Sequence, residues 1–201
     1  MAKSDAEKVK TFKIERSKLT SGLFTSRTEE WETPQYVFSI LNDEFNFQID
    51  VCATSENAKC KLFFTKQFDG LKQEWSPYRC WMNPPYGKNI SNWMKKAYLE
   101  SRRGALVVCL IPSRTDTRWW HEWVMKAAEI RLIAGRLSFG SSAQSAPFPS
   151  CIVIYFPEFD NPYKLSVPVI KSVRFNKANK QMKLFISDLR NKPEEIKDLT
   201  L

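Results

Sequence analysis

Histidines, paired cysteines and long apolar runs are scarce in this chain of 201 residues, and each scarcity argues against a class of function. His121 is the only histidine, which disfavours both a zinc site and a His base paired with a Cys or Ser nucleophile. The five cysteines form no Cys-x-x-Cys pair, and their odd number argues against a disulfide framework. No run of eighteen apolar residues occurs, and no apolar signal region follows Met1. We therefore expect a soluble, cytoplasmic protein with no bound metal and no membrane segment.

The positive charge of the chain is confined to its two ends. Of the net charge of +9, residues 1 to 28 supply seven Lys/Arg against three acids, and residues 161 to 201 supply nine against four. Such basic ends are either solubilising tails or contacts for phosphates. The C-terminal segment spaces its cations every third residue, which favours the second interpretation. The cations predicted to contact nucleic acid there are Lys171, Arg174, Lys177, Lys180 and Lys183.

The organisation of the chain is that of one catalytic domain between two basic segments. We predict a basic N-terminal arm over residues 1 to 28, a catalytic domain over 29 to 160 and a basic C-terminal extension over 161 to 201. A length of 201 residues suits a single domain with a full core.

Strand-like and helix-like patterns alternate within the catalytic domain. The helical patterns cover residues 35 to 44 and 90 to 102, and strand-like runs stand before, between and after them. The first of these runs, residues 45 to 51, alternates apolar and polar side chains. This order predicts an α/β fold with a mostly parallel sheet and helices on both faces. Two last strand patterns, at residues 130 to 134 and 151 to 156, predict an antiparallel hairpin at one edge of that sheet.

The motif Asn83-Pro84-Pro85-Tyr86 carries the most chemistry. An Asn side-chain oxygen and a free main-chain carbonyl can accept hydrogen bonds from both protons of an amino group, which makes its nitrogen a better nucleophile. The two prolines keep the loop extended and lack N–H groups. Tyr86 offers a ring on which a flipped-out base can stack. A rigid structural turn would have the same composition. The position between a strand pattern and a helix nevertheless favours an amino-methyltransferase site at the carboxyl ends of parallel strands.

Other segments stand in a fixed order around this loop. They are Trp31-Glu32-Thr33-Pro34-Gln35, Asp50-Val51-Cys52-Ala53, Asp69-Gly70-Leu71, Pro112-Ser113-Arg114-Thr115-Asp116-Thr117-Arg118-Trp119, Gly135-Arg136-Leu137-Ser138-Phe139 and Pro147-Phe148-Pro149. Together with the catalytic loop they resemble the phage-type DNA N6-adenine methyltransferases, the Dam-like family of bacteriophages and prophages, over about residues 29 to 156. The resemblance implies a Rossmann-like fold, S-adenosylmethionine as methyl donor, and a target adenine bound by Asn83, Pro84, Pro85 and Tyr86.

The same resemblance implies a donor site made of the segments around Trp31 and Asp50. A methyl donor that carries hydroxyl groups and an ammonium favours carboxylates, and Asp50 and Asp69 are the acids closest to predicted strand ends. A solvated loop acid is the alternative for each, and Trp31 could be a core residue. The Gly-rich loop that follows the first strand in most methyltransferases is replaced here by residues 53 to 58. The predicted donor-binding residues are Trp31, Thr33, Pro34, Asp50, Cys52, Ala53 and Asp69.

The remaining predicted site residues belong to DNA contacts. Arg114, Asp116 and Arg118 follow a strand end on the same side as the catalytic loop, although a local ion pair would explain the first two equally well. Arg136 and Ser138 lie in a loop that we expect to face the substrate.

We predict methyl transfer from S-adenosylmethionine to the N6 amino group of adenine in DNA, with base flipping. The four-residue loop by itself also fits methylation of cytosine N4, of guanine in RNA or of a glutamine amide in protein. An inactive DNA-binding homologue is a further alternative. The sequence leaves open the recognised DNA sequence and the choice between a monomer and a weak dimer.

Overall fold

A computed structural model describes residues 31–139, 145–178 and 181–184. The predicted N-terminal arm and Lys180 lie outside these ranges. The helices are α1 (Gln35–Phe45), α2 (Ile90–Arg102) and α3 (Arg118–Glu122). The strands are β1 (Ile49–Asp50), β2 (Leu62–Phe63), β3 (Arg79–Met82), β4 (Leu106–Pro112), β5 (Glu129–Ile133), β6 (Ser150–Tyr155), β7 (Val169–Asn176) and β8 (Gln181–Leu184).

The eight strands form one mixed sheet in the order β2-β1-β3-β4-β6-β5-β7-β8. Strands β2, β1, β3 and β4 are parallel to one another. Strand β6 is antiparallel to both β4 and β5, β7 is parallel to β5, and β8 is antiparallel to β7. Because β6 is antiparallel to both β4 and β5, strand β5 and its parallel neighbour β7 run in the same direction as β1 to β4. The carboxyl ends of these six strands therefore meet at one edge of the sheet, called here the carboxyl edge.

The predicted antiparallel pairing of the last two strand patterns is confirmed, but its predicted place at the edge of the sheet is wrong. Strand β6 lies in the interior, between β4 and β5, and it is buried along its whole length. An apolar strand of this kind must be covered on both faces, whereas β7 exposes Ile170 and Arg174 and can lie near an edge. Strands β7 and β8 also extend the sheet beyond the domain boundary predicted at residue 160.

The strand predicted over residues 45 to 51 is much shorter in the structure. Phe45 still belongs to α1, and Asn46 ends that helix in the left-handed conformation with a φ of 51°. Only Ile49–Asp50 pairs with neighbouring strands. Phe45 and Phe47 are nevertheless both buried. The alternation in the sequence thus indicated which side chains are buried. Burial does not require that the residue pair with a neighbouring strand.

Helices cover both faces of the sheet, as predicted. On one face Phe38 and Leu41 of α1 pack against Trp81. On the other face Met94 and Ala97 of α2 belong to the cluster that contains the inner residues of β3 and β4. Because helices cover both faces, the loops at the carboxyl edge are the part of the sheet where a ligand can bind. Among the described helices, none has the length and hydrophobicity needed to cross a membrane.

Candidate active site

A cleft of about 730 Å³ opens at the carboxyl edge, beside the ends of β1 and β3. Such a cleft lies where open α/β sheets commonly bind their ligands. The structure brings most of the predicted donor and catalytic residues together along its wall. Pro34 is the buried residue that precedes α1, and Tyr86 lies behind the loop, towards β4. The predicted residues that line the cleft are Trp31, Thr33, Asp50, Cys52, Ala53, Asp69, Asn83, Pro84 and Pro85.

Asp50 ends β1 and is buried at the floor of the cleft, with 3% of its surface exposed. Its Oδ1 accepts a hydrogen bond from the Cys52 amide at 3.3 Å, and its Oδ2 accepts one from the Lys59 amide at 3.1 Å. Burial raises the pKa of Asp50 to about 6, although the two amide hydrogen bonds lower it. The carboxylate therefore shapes the loop after β1, and it has the two remaining lone pairs to offer a ligand.

Residues 53 to 58 form a closed turn without any glycine. Asn57 Oδ1 accepts a hydrogen bond from the Thr54 amide at 2.7 Å, and the Ala58 amide donates to the Thr54 carbonyl at 3.1 Å. The Ala53 amide pairs with the Phe64 carbonyl beside β2 at 3.0 Å. A side-chain acceptor thus helps to hold this turn in shape, whereas a Gly-rich loop takes its shape from its backbone conformation. Burial raises the pKa of Cys52, so its thiol is neutral.

Asp69 lies at the rim of the cleft in the left-handed conformation, with a φ of 50°. Its Oδ1 accepts the Leu71 amide at 3.3 Å, and its carboxylate pairs with Lys72 at 3.3 Å. The next residue, Gly70, approaches β1 so closely that a Cβ there would lie 2.1 Å from the Val51 carbonyl oxygen. A residue without a side chain is therefore required to bring Asp69 to the cleft.

Asn83 follows β3 directly, and its amide is held at both ends. Its Nδ2 donates to the main-chain oxygen of Trp31 and, at 3.0 Å, to Oγ1 of Thr33. Its Oδ1 accepts the hydroxyl of Tyr86 at 2.8 Å. The Trp31 to Thr33 segment, predicted to touch the donor, thus also contacts the Asn that we predict to be catalytic.

Aromatic rings surround Tyr86 on the side away from the cleft. Its ring meets Phe148 edge to face at 5.5 Å and Phe139 at 6.3 Å between centroids. Trp31 packs edge to face on the same two phenylalanines, at 5.4 Å from Phe139 and 5.0 Å from Phe148. The indole Nε1 of Trp31 is buried and has no hydrogen-bond partner among the described residues. The two sides of the Asn83 loop therefore differ: one is a polar cleft and the other is an aromatic cluster.

The predicted DNA-contacting residues near the centre of the sheet lie at the carboxyl edge. Arg114 and Asp116 are exposed in the loop after β4. Arg118 is exposed at the start of α3, where it pairs with Glu122 one turn on. Arg136 is exposed and Ser138 is half-buried in the loop after β5.

The C-terminal cations do not form a single stripe. Lys171 pairs with the buried Glu129 at 3.1 Å and donates to the Tyr163 hydroxyl at 2.8 Å. Arg174 stands directly across from Lys183 on β8. Lys177 is exposed just after β7. Because side chains alternate between the faces of a strand, a spacing of three places Lys171 and Arg174 on opposite faces.

Three features of the site were missed by the sequence analysis. Phe148 was part of the family-like segments, but we assigned it no role. Asn57 had no predicted role, and Gly70 was only part of one of the family-like segments. The flanking prolines of Phe148 and the Asp-Gly pair at Gly70 were the available signals, since both mark rigid local backbone. Among the described residues, no group of three His, Cys, Asp or Glu side chains is arranged to hold a metal ion.

Comparison with known proteins shows the family of this chain. The family model described as DNA N-6-adenine-methyltransferase (Dam) matches residues 20–183. A DNA N-6-adenine-methyltransferase of Haemophilus phage HP1 (strain HP1c1) is 30% identical over 136 residues, which are 64% of this chain and 79% of that protein. A protein of the same name from Escherichia phage T1 is 30% identical over 110 residues, or 54% of this chain and 46% of that protein. This chain therefore belongs to the phage-type DNA N6-adenine methyltransferase (Dam) family.

Proposed function

We propose that this member of the family takes its methyl group from S-adenosylmethionine, on a Rossmann-like scaffold, and delivers it to an adenine rotated out of the DNA helix. The observation that carries the proposal is the position of Asn83. Its amide stands at the carboxyl end of β3, between the polar cleft and the aromatic cluster. A methyl donor on one side and an unstacked base on the other would meet at this residue.

The cleft fits the proposed donor in size and in chemistry. When bound, S-adenosylmethionine supplies an electrophilic methyl carbon on a sulfonium. A cleft of about 730 Å³ lies within the range typical of small-molecule sites. Asp50 and Asp69 offer carboxylates to hydroxyl or ammonium groups, and Phe64 and Trp93 offer apolar walls to a purine. In this proposal Trp31, Cys52 and Ala53 complete the wall of the cleft, and Pro34 holds the segment that contains Trp31 at the start of α1.

The target side of the proposal rests on Asn83 and Pro84. The Asn83 Oδ1 and the Pro84 carbonyl accept the two N6 protons, which draws the nitrogen lone pair out of the ring. That pair forms the new bond to the methyl carbon, the bond from that carbon to sulfur breaks, and the N6 nitrogen then releases one proton to water. Pro85 stiffens the loop, and Tyr86 with its aromatic neighbours provides a surface on which an unstacked base can pack.

DNA is proposed to cross the carboxyl edge from the Asn83 loop to the hairpin of β7 and β8. Four strand spacings separate β3 from β7, which amounts to about 19 Å. At about 3.4 Å per base pair, this distance corresponds to roughly six base pairs. The proposed phosphate and nucleotide contacts along this path come from the loops and the hairpin. They are Arg114, Asp116, Arg118, Arg136, Ser138, Arg174, Lys177 and Lys183, and Lys180, which lies outside the described residues, is proposed to join them.

The proposal is tested by methyl transfer to duplex DNA with S-adenosylmethionine labelled at its methyl group. Asn83→Ala should lower the rate at least about a hundredfold, since a preorganised acceptor in the transition state is lost. Asn92→Ala, an exposed residue on α2, is the matched control and should retain the full rate. Digestion of the product to nucleosides should place the label on adenine N6. Undiminished labelling by Asn83→Ala, or label on another nucleoside, would contradict the proposal.

A further inference from the structure

The partners of Asn83 fix which end of its amide is the oxygen. The main-chain oxygen of Trp31 can only accept a hydrogen bond, so the atom that faces it must be the donor Nδ2. A half-turn of the amide would bring its oxygen against this carbonyl. The amide is therefore locked with Nδ2 towards Trp31 and Thr33, and with Oδ1 towards Tyr86.

The hydrogen-bond capacity of Asn83 leaves one position for a ligand. An amide nitrogen carries two hydrogens and an amide oxygen carries two lone pairs. Trp31 and Thr33 supply acceptors for both hydrogens of Nδ2, whereas the Tyr86 hydroxyl uses only one lone pair of Oδ1. The second lone pair is the remaining hydrogen-bonding position of this side chain, and Asn83 lines the open cleft.

We infer that Thr33 and Tyr86 are positioning residues, whose hydroxyl groups hold the Asn83 amide so that this remaining lone pair meets an N6–H of the target adenine. The inference rests on the proposed function of Asn83. It gives Thr33 a role towards the target base, in place of the donor contact expected from the sequence. It also gives Tyr86 a role for its hydroxyl in addition to that of its ring.

The Tyr86 hydroxyl has a second acceptor within reach. The Leu110 carbonyl lies 3.2 Å from the hydroxyl oxygen, on the strand next to β3. Burial raises the pKa of Tyr86, so the group stays protonated and has a single hydrogen to donate. Oδ1 is the nearer of the two acceptors, at 2.8 Å, so this hydrogen holds Oδ1 and leaves its second lone pair open to a base. The acceptor that catalysis needs is thus held in place without being blocked.

Substitution of Thr33 separates a positioning role from a donor contact. Thr33→Val keeps the shape and removes Oγ1, so single-turnover methyl transfer should slow about tenfold, the effect of losing one hydrogen bond in a site of this kind. The dissociation constant of S-adenosylmethionine, measured by calorimetry, should stay within about twofold. Thr33→Ser restores the acceptor and should recover the rate to within about threefold. Weaker donor binding at an unchanged rate would overturn the inference in favour of the donor contact.

Substitution of Tyr86 tests the other hydroxyl and remains informative if Thr33→Val does not fold. Tyr86→Phe keeps the ring and should slow single-turnover transfer about tenfold. If Tyr86 acts through Asn83, the same change made in Asn83→Ala should add no further loss to the residual rate. An equal loss in both backgrounds would overturn the inference.

The positioning inference and the proposed function fail in different ways. Full activity of Asn83→Ala overturns the proposed function. Loss of activity in Asn83→Ala, together with full rates in Thr33→Val and Tyr86→Phe, overturns only the positioning roles.

Discussion

The two sides of the Asn83 loop are built from different interactions. On the cleft side, carboxylates and an amide side chain hold main-chain N–H groups, as Asp50 does for Cys52 and Lys59. On the other side, aromatic rings pack edge to face around Tyr86, with centroid separations between 5.0 and 6.3 Å. The first side depends on charge and on backbone shape, and the second depends on ring packing and on the geometry of one amide.

This difference predicts different sensitivities for the two sides. A carboxylate that organises a buried loop is affected by its own protonation and by the loss of its charge. The neutral rings around Tyr86 and the neutral amide of Asn83 have no charge to lose and do not change protonation. Substitutions and pH changes on the cleft side should therefore alter donor affinity, and those at Asn83 and its partners should alter the rate of transfer.

The largest effect on the cleft side is expected for Asp50→Ala. The change leaves two partly buried amide groups, those of Cys52 and Lys59, without their acceptors, at about 1–3 kcal/mol each. The dissociation constant for S-adenosylmethionine, measured by calorimetry, should rise about a hundredfold. Asp43→Ala, an exposed acid on α1, is the matched control and should leave this constant unchanged. An unaltered dissociation constant for S-adenosylmethionine in Asp50→Ala would contradict the predicted difference between the two sides of the Asn83 loop.

A smaller effect is expected from pH, because the pKa of Asp50 is raised by burial to about 6. Donor affinity should weaken by up to about tenfold per pH unit as the pH falls through this value, since the carboxylate becomes neutral. Folding stability should follow the opposite trend. A folded pKa above the usual 3.8 favours the protonated native state, so this contribution is present below 3.8 and is lost as the pH rises through about 6. Calorimetric titration at several pH values measures the donor affinity, and calorimetric unfolding at the same pH values measures the stability. As the control, the donor affinity of Asp50→Asn should not change with pH.

The smallest effect is expected at the hairpin, where two lysines offer a matched pair. Lys177 is exposed after β7, whereas Lys171 already pairs with Glu129. Lys177→Ala should weaken DNA binding a few-fold and reduce the slope of log affinity against log salt by about one. Lys171→Ala should leave both quantities unchanged. Fluorescence anisotropy over a series of salt concentrations measures them, and equal effects of the two substitutions would contradict the proposed path of DNA.

The sequence predicted the elements whose signals are local. The bounds of α2 at Ile90 and Arg102 and the strand before Asn83 followed from apolar spacing and from the prolines. The antiparallel pairing of β5 and β6 followed from their connection. Their interior place did not, because it depends on β7 and β8, which pair with β5 from a region we had assigned to a basic extension.

The composition and motifs of the sequence by themselves determined the family to which the chain belongs and predicted the chemistry of the Asn83 loop. Only the tertiary structure decided which side chains surround that loop. The partners of Asn83 come from residues 50 and 52 positions earlier and three later in the chain, with β4 adding a carbonyl beside Tyr86. No pattern along the sequence encodes such distances, since they arise when the sheet brings the ends of its strands together at one edge. For the same reason the regular spacing of cations did not become one stripe, because β7 places Lys171 and Arg174 on opposite faces and Lys171 pairs with Glu129.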